Sequence, residues 1–220
     1  MSKSLCAVLL VAAMPLVAHA ADVVLPPGAS VAGHSVPQLA GEWWQWVESA
    51  SDEDSPVNDR SGAKCAVGQQ GDVWFLAGGF GSSMIHRTCT VPEGKHLFFP
   101  VINMVYWRHE GGNASCEQVK RYAALNNNTA LDLFAEIDGV AVDGVSQYRA
   151  ASEQCFDAYA RVPVGQYPNS AYPAATDGYW LLLPPLAKGR HVVKFGGRYN
   201  RASPAHGRML QDIEYELLVE

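Results

Sequence analysis

The sequence predicts a mainly β fold, an antiparallel β-sandwich or jelly roll with one or two short helices. Two observations lead to this prediction. Short segments that alternate apolar and polar residues, or that are wholly apolar, recur between clusters of turn residues. Helix-start signals, by contrast, mark two short segments. Many short strands separated by turns are typical of sandwiches and barrels.

The first helix is predicted to begin after Ser35, because Ser35 and Gln38 have the spacing of a capping box. Within it, the stretch GEWWQWVESA contains three tryptophans in four positions. Two of these, Trp43 and Trp46, fall on an apolar stripe and are expected in the core. That stripe comprises Leu39, Trp43, Trp46, Val47 and Ala50. Trp44 falls on its flank beside polar positions and is therefore a candidate platform for a ligand.

A hairpin is predicted over residues 85–101, with Pro92 and Gly94 in its turn. In that hairpin Val91 would lie opposite Lys95. The core face would carry Ile85, Cys89, Val91, Leu97, Phe99 and Val101, and the other face His86, Thr88, Thr90, His96 and Phe98.

The remaining elements follow from the same signals. A second helix is predicted over 115–125, where Ser115 and Gln118 repeat the capping-box spacing. A loop is predicted over 163–178. The predicted strands are 72–78, a hairpin over 133–142 with Asp138-Gly139 in its turn, 178–183 and 190–197 joined by a turn at 184–189, and 212–220.

The first twenty residues resemble a cleaved export signal, with one lysine, a short apolar run and the ending Ala18-His19-Ala20. We therefore expect a signal peptide at 1–20 and a single β-sandwich domain at 21–220, secreted or periplasmic. No later stretch has the roughly 20 apolar residues of a transmembrane anchor. The chain carries 16 basic and 22 acidic residues, which argues against a nucleic-acid partner.

Four cysteines follow the predicted signal: Cys65, Cys89, Cys116 and Cys155. An even number in an exported chain indicates two disulfides. Of the three possible pairings, the local pairs Cys65–Cys89 and Cys116–Cys155 are favoured. A zinc site is disfavoured because the chain has no C-x-x-C pair, and the acidic loop 51–71 lacks the spacing of a calcium cage. We predict no metal and no cofactor.

Two loops carry the candidate site residues. In YWRHEGGN, a cation, a titratable base and a carboxylate stand in succession at Arg108, His109 and Glu110, and these are candidate catalytic residues. In RYNRASPAHGR, Tyr199 is a further catalytic candidate. The candidate ligand-binding residues are Trp44, Trp107, Tyr199, Arg201 and His206. The alternative for both loops is an ordinary solvated turn.

The segments GQQGDVWFLAG, RTCTVPEGKHLFFPVIN and GYWLLLPPLAKGRHVVKFGG resemble segments of a group of exported bacterial proteins without an assigned activity. They lie between residues 68 and 197. The resemblance implies a single exported β-rich domain, and it carries over no catalytic residue.

Three functions are compatible with these patterns. The first is a disulfide-stabilised module that binds a glycan, an envelope component or another extracytoplasmic ligand. The second is a jelly-roll polysaccharide lyase or hydrolase, in which Arg108, His109 and Tyr199 would converge in one groove. The third is a structural protein of the envelope. We predict the binding module, because the sequence contains no recognisable catalytic spacing.

Overall fold

Alternating apolar residues build two β-sheets whose inner faces form a common core. The structure is a computed structural model that describes residues 23–81, 84–166, 170–199 and 209–220. The larger sheet has the order β4 (Met84–Val91), β11 (Leu210–Val219), β10 (Gly189–Tyr199), β6 (Ala130–Ile137) and β7 (Val140–Ala141). The smaller has the order β3 (Val73–Phe75), β5 (His96–Trp107), β9 (Ala174–Leu183) and β8 (Arg149–Ala151). The prediction of a mainly β, sandwich-like fold is confirmed.

Most neighbouring strands are antiparallel, but each sheet also contains one parallel pair. These pairs are β4 with β11 and β3 with β5. A small ladder of β1 (Ser30–Val31) and β2 (His34–Ser35) precedes the first helix, and a 3₁₀ turn covers Val145–Tyr148. Within the described residues, no helix is long and apolar enough to cross a membrane.

Both predicted helices form where their caps indicate. Helix α1 covers Val36–Ser49 and α2 covers Cys116–Asn127. At each start the serine hydroxyl accepts a backbone N–H while the glutamine side chain accepts the N–H of the serine, which satisfies two otherwise unpaired donors. Helix α1 buries Leu39, Trp43, Trp46 and Val47 against the outer face of the smaller sheet. Ala50 is the C-cap and is only partly buried.

The prediction of a hairpin over 85–101 is wrong in its pairing. Strands β4 and β5 lie in different sheets, so Val91 does not lie opposite Lys95. The short segment between β4 and β5 therefore crosses from the larger sheet to the smaller one. The predicted core set is nevertheless buried between the sheets, because a strand keeps its inward face whichever neighbour it pairs with. The segments 178–183 and 190–197 likewise belong to different sheets, as parts of β9 and β10.

The short hairpin of β6 and β7 is confirmed. Asp138 and Gly139 both have positive φ, 51° and 80°, as a type I′ turn requires. Both predicted disulfides are also confirmed. Cys65 is joined to Cys89 and Cys116 to Cys155.

A β-bulge in β5 decides which side chains reach the surface beside α1. Pro100 pairs with Trp180 and Ile102 with Tyr179, so Val101 is an extra residue in the strand. Val101 and Ile102 both face the core between the sheets. Beyond the bulge the alternation is therefore reversed, and Asn103, Val105 and Trp107 point to the α1 side of the sheet.

Candidate functional site

The largest group of predicted site residues lies around an open cavity at the end of β5. We call this cavity the aromatic cleft. It has a volume of about 630 Å³, and its lining comprises Trp107, Arg108, His109, Glu110, Gly111, Gly112, Tyr159, Ser170 and Tyr172. The structure thus brings together four residues that the sequence singled out, Trp107 and the three charged or titratable residues after it.

The loop that follows β5 forms one wall of the cleft. The Arg108 backbone N–H donates to Pro173 O at 3.1 Å, and its guanidinium donates to Tyr172 O at 3.1 Å. The Gly112 N–H donates to His109 O at 2.9 Å. A Cβ at Gly112 would lie 2.9 Å from that same oxygen, so the turn requires a glycine there.

Asp157 holds the opposite wall in place. Its Oδ1 accepts the backbone N–H groups of Tyr159 at 3.0 Å and Ala171 at 2.8 Å, and its Oδ2 accepts the Ser170 hydroxyl at 2.6 Å. One carboxylate therefore fixes two chain segments that line the cleft. Trp107 packs beside this wall with its ring centroid 6.0 Å from that of Tyr159.

The cleft combines aromatic surface with exposed polar groups. Tyr172 is 53% exposed, and Trp107 and Tyr159 are half-buried. Arg108, His109 and Glu110 are exposed and supply a guanidinium, an imidazole and a carboxylate. This arrangement can stack against a ring and donate and accept hydrogen bonds around it.

The other predicted ligand-binding residues lie elsewhere. Trp44 and Tyr199 line a second cavity of about 300 Å³, which we call the tryptophan pocket. Its lining comprises Trp43, Trp44, Val47, Val57, Gly78, Gly79, Phe80, Asn103, Met104, Tyr199 and Met209. Arg201 and His206 lie outside the described residues.

Tyr199 is buried, and its hydroxyl is held inside the protein. The oxygen lies 2.9 Å from Asn103 O and 3.0 Å from Asn127 Oδ1, both of which are acceptors. Burial, reinforced by the nearby Asp177 carboxylate, raises the pKa of Tyr199 far above its ordinary value. The phenol therefore stays protonated, and the structure does not bring it into the cleft with Arg108 and His109.

Tyr159 and Tyr172 are the cleft residues that the sequence did not single out. Tyr172 stands between two prolines of the predicted loop 163–178, Pro168 and Pro173, and Tyr159 follows the second cysteine of the Cys116–Cys155 bridge. Each is more than 50 positions from Trp107, so no local spacing connects them to it. The signal that could have identified them is that each is an aromatic residue outside the predicted helices and strands, because binding residues often lie on loops.

One group of side chains on the larger sheet could hold a metal ion. Donor atoms of His86, Glu214 and Glu216 lie within 4.8 Å of one another on its outer face. An imidazole with two carboxylates suits a divalent transition ion. Glu214 also forms an ion pair with Lys194, whose Nζ lies 3.5 Å from the Glu214 carboxylate. The sequence did not predict this cluster, because parallel pairing of β4 with β11 joins residues far apart in the chain.

Comparison of the chain with protein-family models, with curated proteins and with solved structures gave no match. Its function is therefore inferred from the geometry of its own residues.

Proposed function

We propose that this protein is an exported, disulfide-stabilised module that binds a glycan in the aromatic cleft. The observation that carries the proposal is the lining of that cleft. Three aromatic rings, those of Trp107, Tyr159 and Tyr172, share one open cavity with Arg108, His109 and Glu110. Ligand sites typically combine aromatic walls with a few polar groups that fix orientation.

The chemistry of a sugar ring matches this lining. A pyranose has a face of C–H groups and a rim of hydroxyls. The face can stack on an indole or phenol ring, which buries apolar area. The hydroxyls can donate to Glu110 and accept from Arg108, and such bonds between a neutral and a charged group are stronger than neutral pairs.

The cleft is also held in shape before any ligand arrives. The Asp157 carboxylate joins the Tyr159 segment to the Ser170 segment. The Cys116–Cys155 disulfide restrains the same part of the chain two residues before Asp157. A site that is already ordered loses less conformational entropy on binding. This rigidity supports a binding role for the loops around the cleft.

Export is part of the same proposal. The two disulfides are typical of proteins outside the cytoplasm. The signal-like first twenty residues and the resemblance to exported bacterial proteins support the same location. The partner would then be a glycan or another component of the envelope or the surroundings of the cell.

The test is a glycan array probed with the chain from residue 21 onward. We expect retention on a subset of glycans, and an at least tenfold loss of affinity in Trp107→Ala, since truncating a hot-spot tryptophan costs about 2 kcal/mol or more and about 1.4 kcal/mol corresponds to a factor of ten. Phe134→Ala is the control, because Phe134 is a partly exposed aromatic residue on the larger sheet, away from the cleft. Equal retention of both variants would contradict the proposal, as would binding to no glycan.

The second candidate is a polysaccharide lyase or hydrolase that acts in the same cleft. His109 and Glu110 supply a base and an acid there, and a phenol would have to come from Tyr159 or Tyr172 instead of Tyr199. The array glycans that are retained should be assayed for new reducing ends. Release that is lost in His109→Ala while retention persists selects the enzyme. A chain that neither retains nor cleaves any glycan fits the structural envelope protein.

A further inference from the structure

We propose that the tryptophan pocket is a second binding site, for a planar apolar molecule of about two fused rings with one hydrogen-bonding atom. The pocket is separate from the aromatic cleft and shares no lining residue with it. Its position follows from the β5 bulge, which turns Asn103 toward α1. The size, the apolar lining and the polar groups of the pocket each restrict the ligand.

The volume sets the size of the ligand. The pocket measures about 300 Å³. A dry cavity of about 150 Å³ lined by apolar side chains accommodates one benzene molecule. Twice that volume therefore suits a bicyclic aromatic, and it is too small for an oligosaccharide.

The lining makes the ligand apolar and flat. Trp44 is the partly exposed ring of the pocket, and the buried Trp43 ring, which is 2% exposed, packs against it edge to face with centroids 5.0 Å apart and planes at 87°. Trp43 thereby fixes the orientation of Trp44, which can stack against a flat ring. Val47 and Val57 add aliphatic surface. Phe80 stands beside the pocket and is 72% exposed, and a bound ring would cover part of it.

Nearly all the polar side chains of the pocket are already hydrogen-bonded within the protein. The Trp43 indole N–H donates to Leu76 O at 3.0 Å, and that of Trp44 donates to Thr176 Oγ1 at 2.9 Å. The Tyr199 hydroxyl is engaged with Asn103 O and Asn127. None of these groups has a proton to offer a ligand.

The side-chain amide of Asn103 is the exception. Its Nδ2 is buried and has no hydrogen-bond partner among the described residues. A buried donor without an acceptor costs about 1 to 3 kcal/mol. Because Nδ2 is shielded as it stands, the amide must turn about χ2 to present a polar atom to the pocket. A ligand that then provides the missing partner removes this cost, so the pocket favours a ring system with one polar atom over a pure hydrocarbon. Because an amide can rotate, that atom can be an acceptor or a donor.

Three bicyclic probes of nearly equal size test the inference. Quinoline offers an acceptor, indole offers an N–H donor and naphthalene offers neither. Each is titrated into the folded protein, and binding is measured by ligand-detected NMR and by the change in tryptophan fluorescence. We expect quinoline or indole to bind with a Kd below about 1 mM, as befits about ten non-hydrogen atoms, and at least fivefold more tightly than naphthalene.

Variants then locate the site. Asn103→Leu keeps the side-chain volume and removes the amide, so it should bring the quinoline and indole affinities to that of naphthalene. Val47→Phe fills the pocket and should weaken all three probes at least tenfold. Trp107→Ala changes only the aromatic cleft and should leave every probe affinity unchanged, which separates this inference from the proposed glycan site.

The inference is overturned if no probe binds at several millimolar, or if Val47→Phe binds all probes as the unaltered protein does. Naphthalene that binds as tightly as both polar probes would refute the role of Asn103. Circular dichroism and thermal melts confirm that each variant is folded. If Val47→Phe fails to fold, Trp44→Phe is used, and unchanged probe affinity together with an unchanged fluorescence response would be the contradicting result.

Discussion

Arg87 shows at the scale of one residue how the interior tolerates a charge. It lies on the inner face of β4 and is 1% exposed. Its guanidinium has five N–H donors, and the structure gives it five acceptors: Asp59 O, Ala77 O, Tyr215 Oη, Val57 O and Gly78 O, at 2.7 to 3.2 Å. The side chain therefore ties the loop before Cys65 to the segment after β3.

Replacing Arg87 should destabilise the protein severely. Arg87→Met keeps a long side chain but removes the Arg87 donors from the carbonyl oxygens of Val57, Asp59 and Gly78. Ala77 O and Tyr215 Oη lose one donor each but keep the hydrogen bonds between the Ala77 backbone and the Tyr215 hydroxyl. Hydrogen bonds to a charged group contribute more than neutral ones. We expect the free energy of unfolding to fall by about 3 kcal/mol or more, measured by urea denaturation followed by circular dichroism.

Arg190→Met is the matched control for this prediction. Arg190 is exposed on β10, so its replacement should change the stability by less than about 0.5 kcal/mol. A loss of comparable size in both variants would show that the network around Arg87 does not contribute as the geometry indicates.

The residue scale also shows what the sequence could and could not predict about the sites. Arg108, His109 and Glu110 are adjacent in the chain, so a search for mixed chemistry in one loop finds them. Tyr159 and Tyr172 join them only through the fold. The inward position of Arg87 follows from alternation with Ile85 and Cys89, but a lone arginine on an apolar face is seldom buried, so the pattern alone did not predict it.

At the scale of elements, local signals were predicted and distant pairings were not. The capping boxes at Ser35 and Ser115 and the Asp138-Gly139 turn depend on residues within four positions of one another, and all three are confirmed. The partner of β4 is β11, more than 100 residues later. The alternation of apolar and polar residues specifies which face of a strand is buried, but it does not indicate which sheet the strand joins. No local pattern in the sequence indicated the β-bulge at Val101.

The β6–β7 turn is linked to β10 by an ion pair that responds to pH. His191 Nδ1 lies 2.7 Å from Asp138 Oδ2, and Nε2 lies 2.8 Å from Ala187 O. Both partners are acceptors, so only the imidazolium can donate to both. Burial lowers the pKa of His191, but the two hydrogen bonds and the Asp138 charge outweigh that effect and raise it above its ordinary value.

The pH dependence of stability follows from the raised pKa of His191. Its stabilising contribution is fully present below the unfolded pKa of about 6.5 and is lost as the pH rises through the folded pKa. Asp138→Asn removes the charge and keeps an Asn-Gly turn, which suits type I′ geometry. We expect this variant to lower the pKa of His191 in an NMR titration. Its loss of stability should be larger at pH 6 than at pH 9 and below about 1 kcal/mol.

An unchanged pKa of His191 in Asp138→Asn would contradict the interpretation of this pair. His109→Asn is the control for the stability comparison. His109 is exposed in the aromatic cleft, and its replacement should change the free energy of unfolding by less than about 0.5 kcal/mol at either pH.

At the scale of the whole molecule, the two disulfides fasten different parts of the same sandwich. Cys65–Cys89 joins the acidic loop 51–71 to β4, across a sequence separation of 24 residues. Cys116–Cys155 joins the start of α2 to the segment that leads to Asp157 and Tyr159, across 39 residues. The first bridge thus belongs to the core between the sheets, and the second lies two residues before Asp157, whose carboxylate holds the Tyr159 wall of the aromatic cleft.

This division predicts that the two bridges differ in their effect on binding and not in their effect on stability. By the chain-entropy estimate, each bridge contributes about 3 to 4 kcal/mol, because the loop length enters only logarithmically. Double substitution to alanine of either pair should therefore lower the free energy of unfolding by similar amounts.

Where both variants remain folded, we expect Cys116→Ala with Cys155→Ala to weaken glycan retention, because the Tyr159 wall loses its restraint. Cys65→Ala with Cys89→Ala should retain glycans as the unaltered protein does. Denaturant titrations and the glycan array measure the two effects separately, and a loss of retention confined to the Cys65–Cys89 variant would contradict the assignment of the cleft.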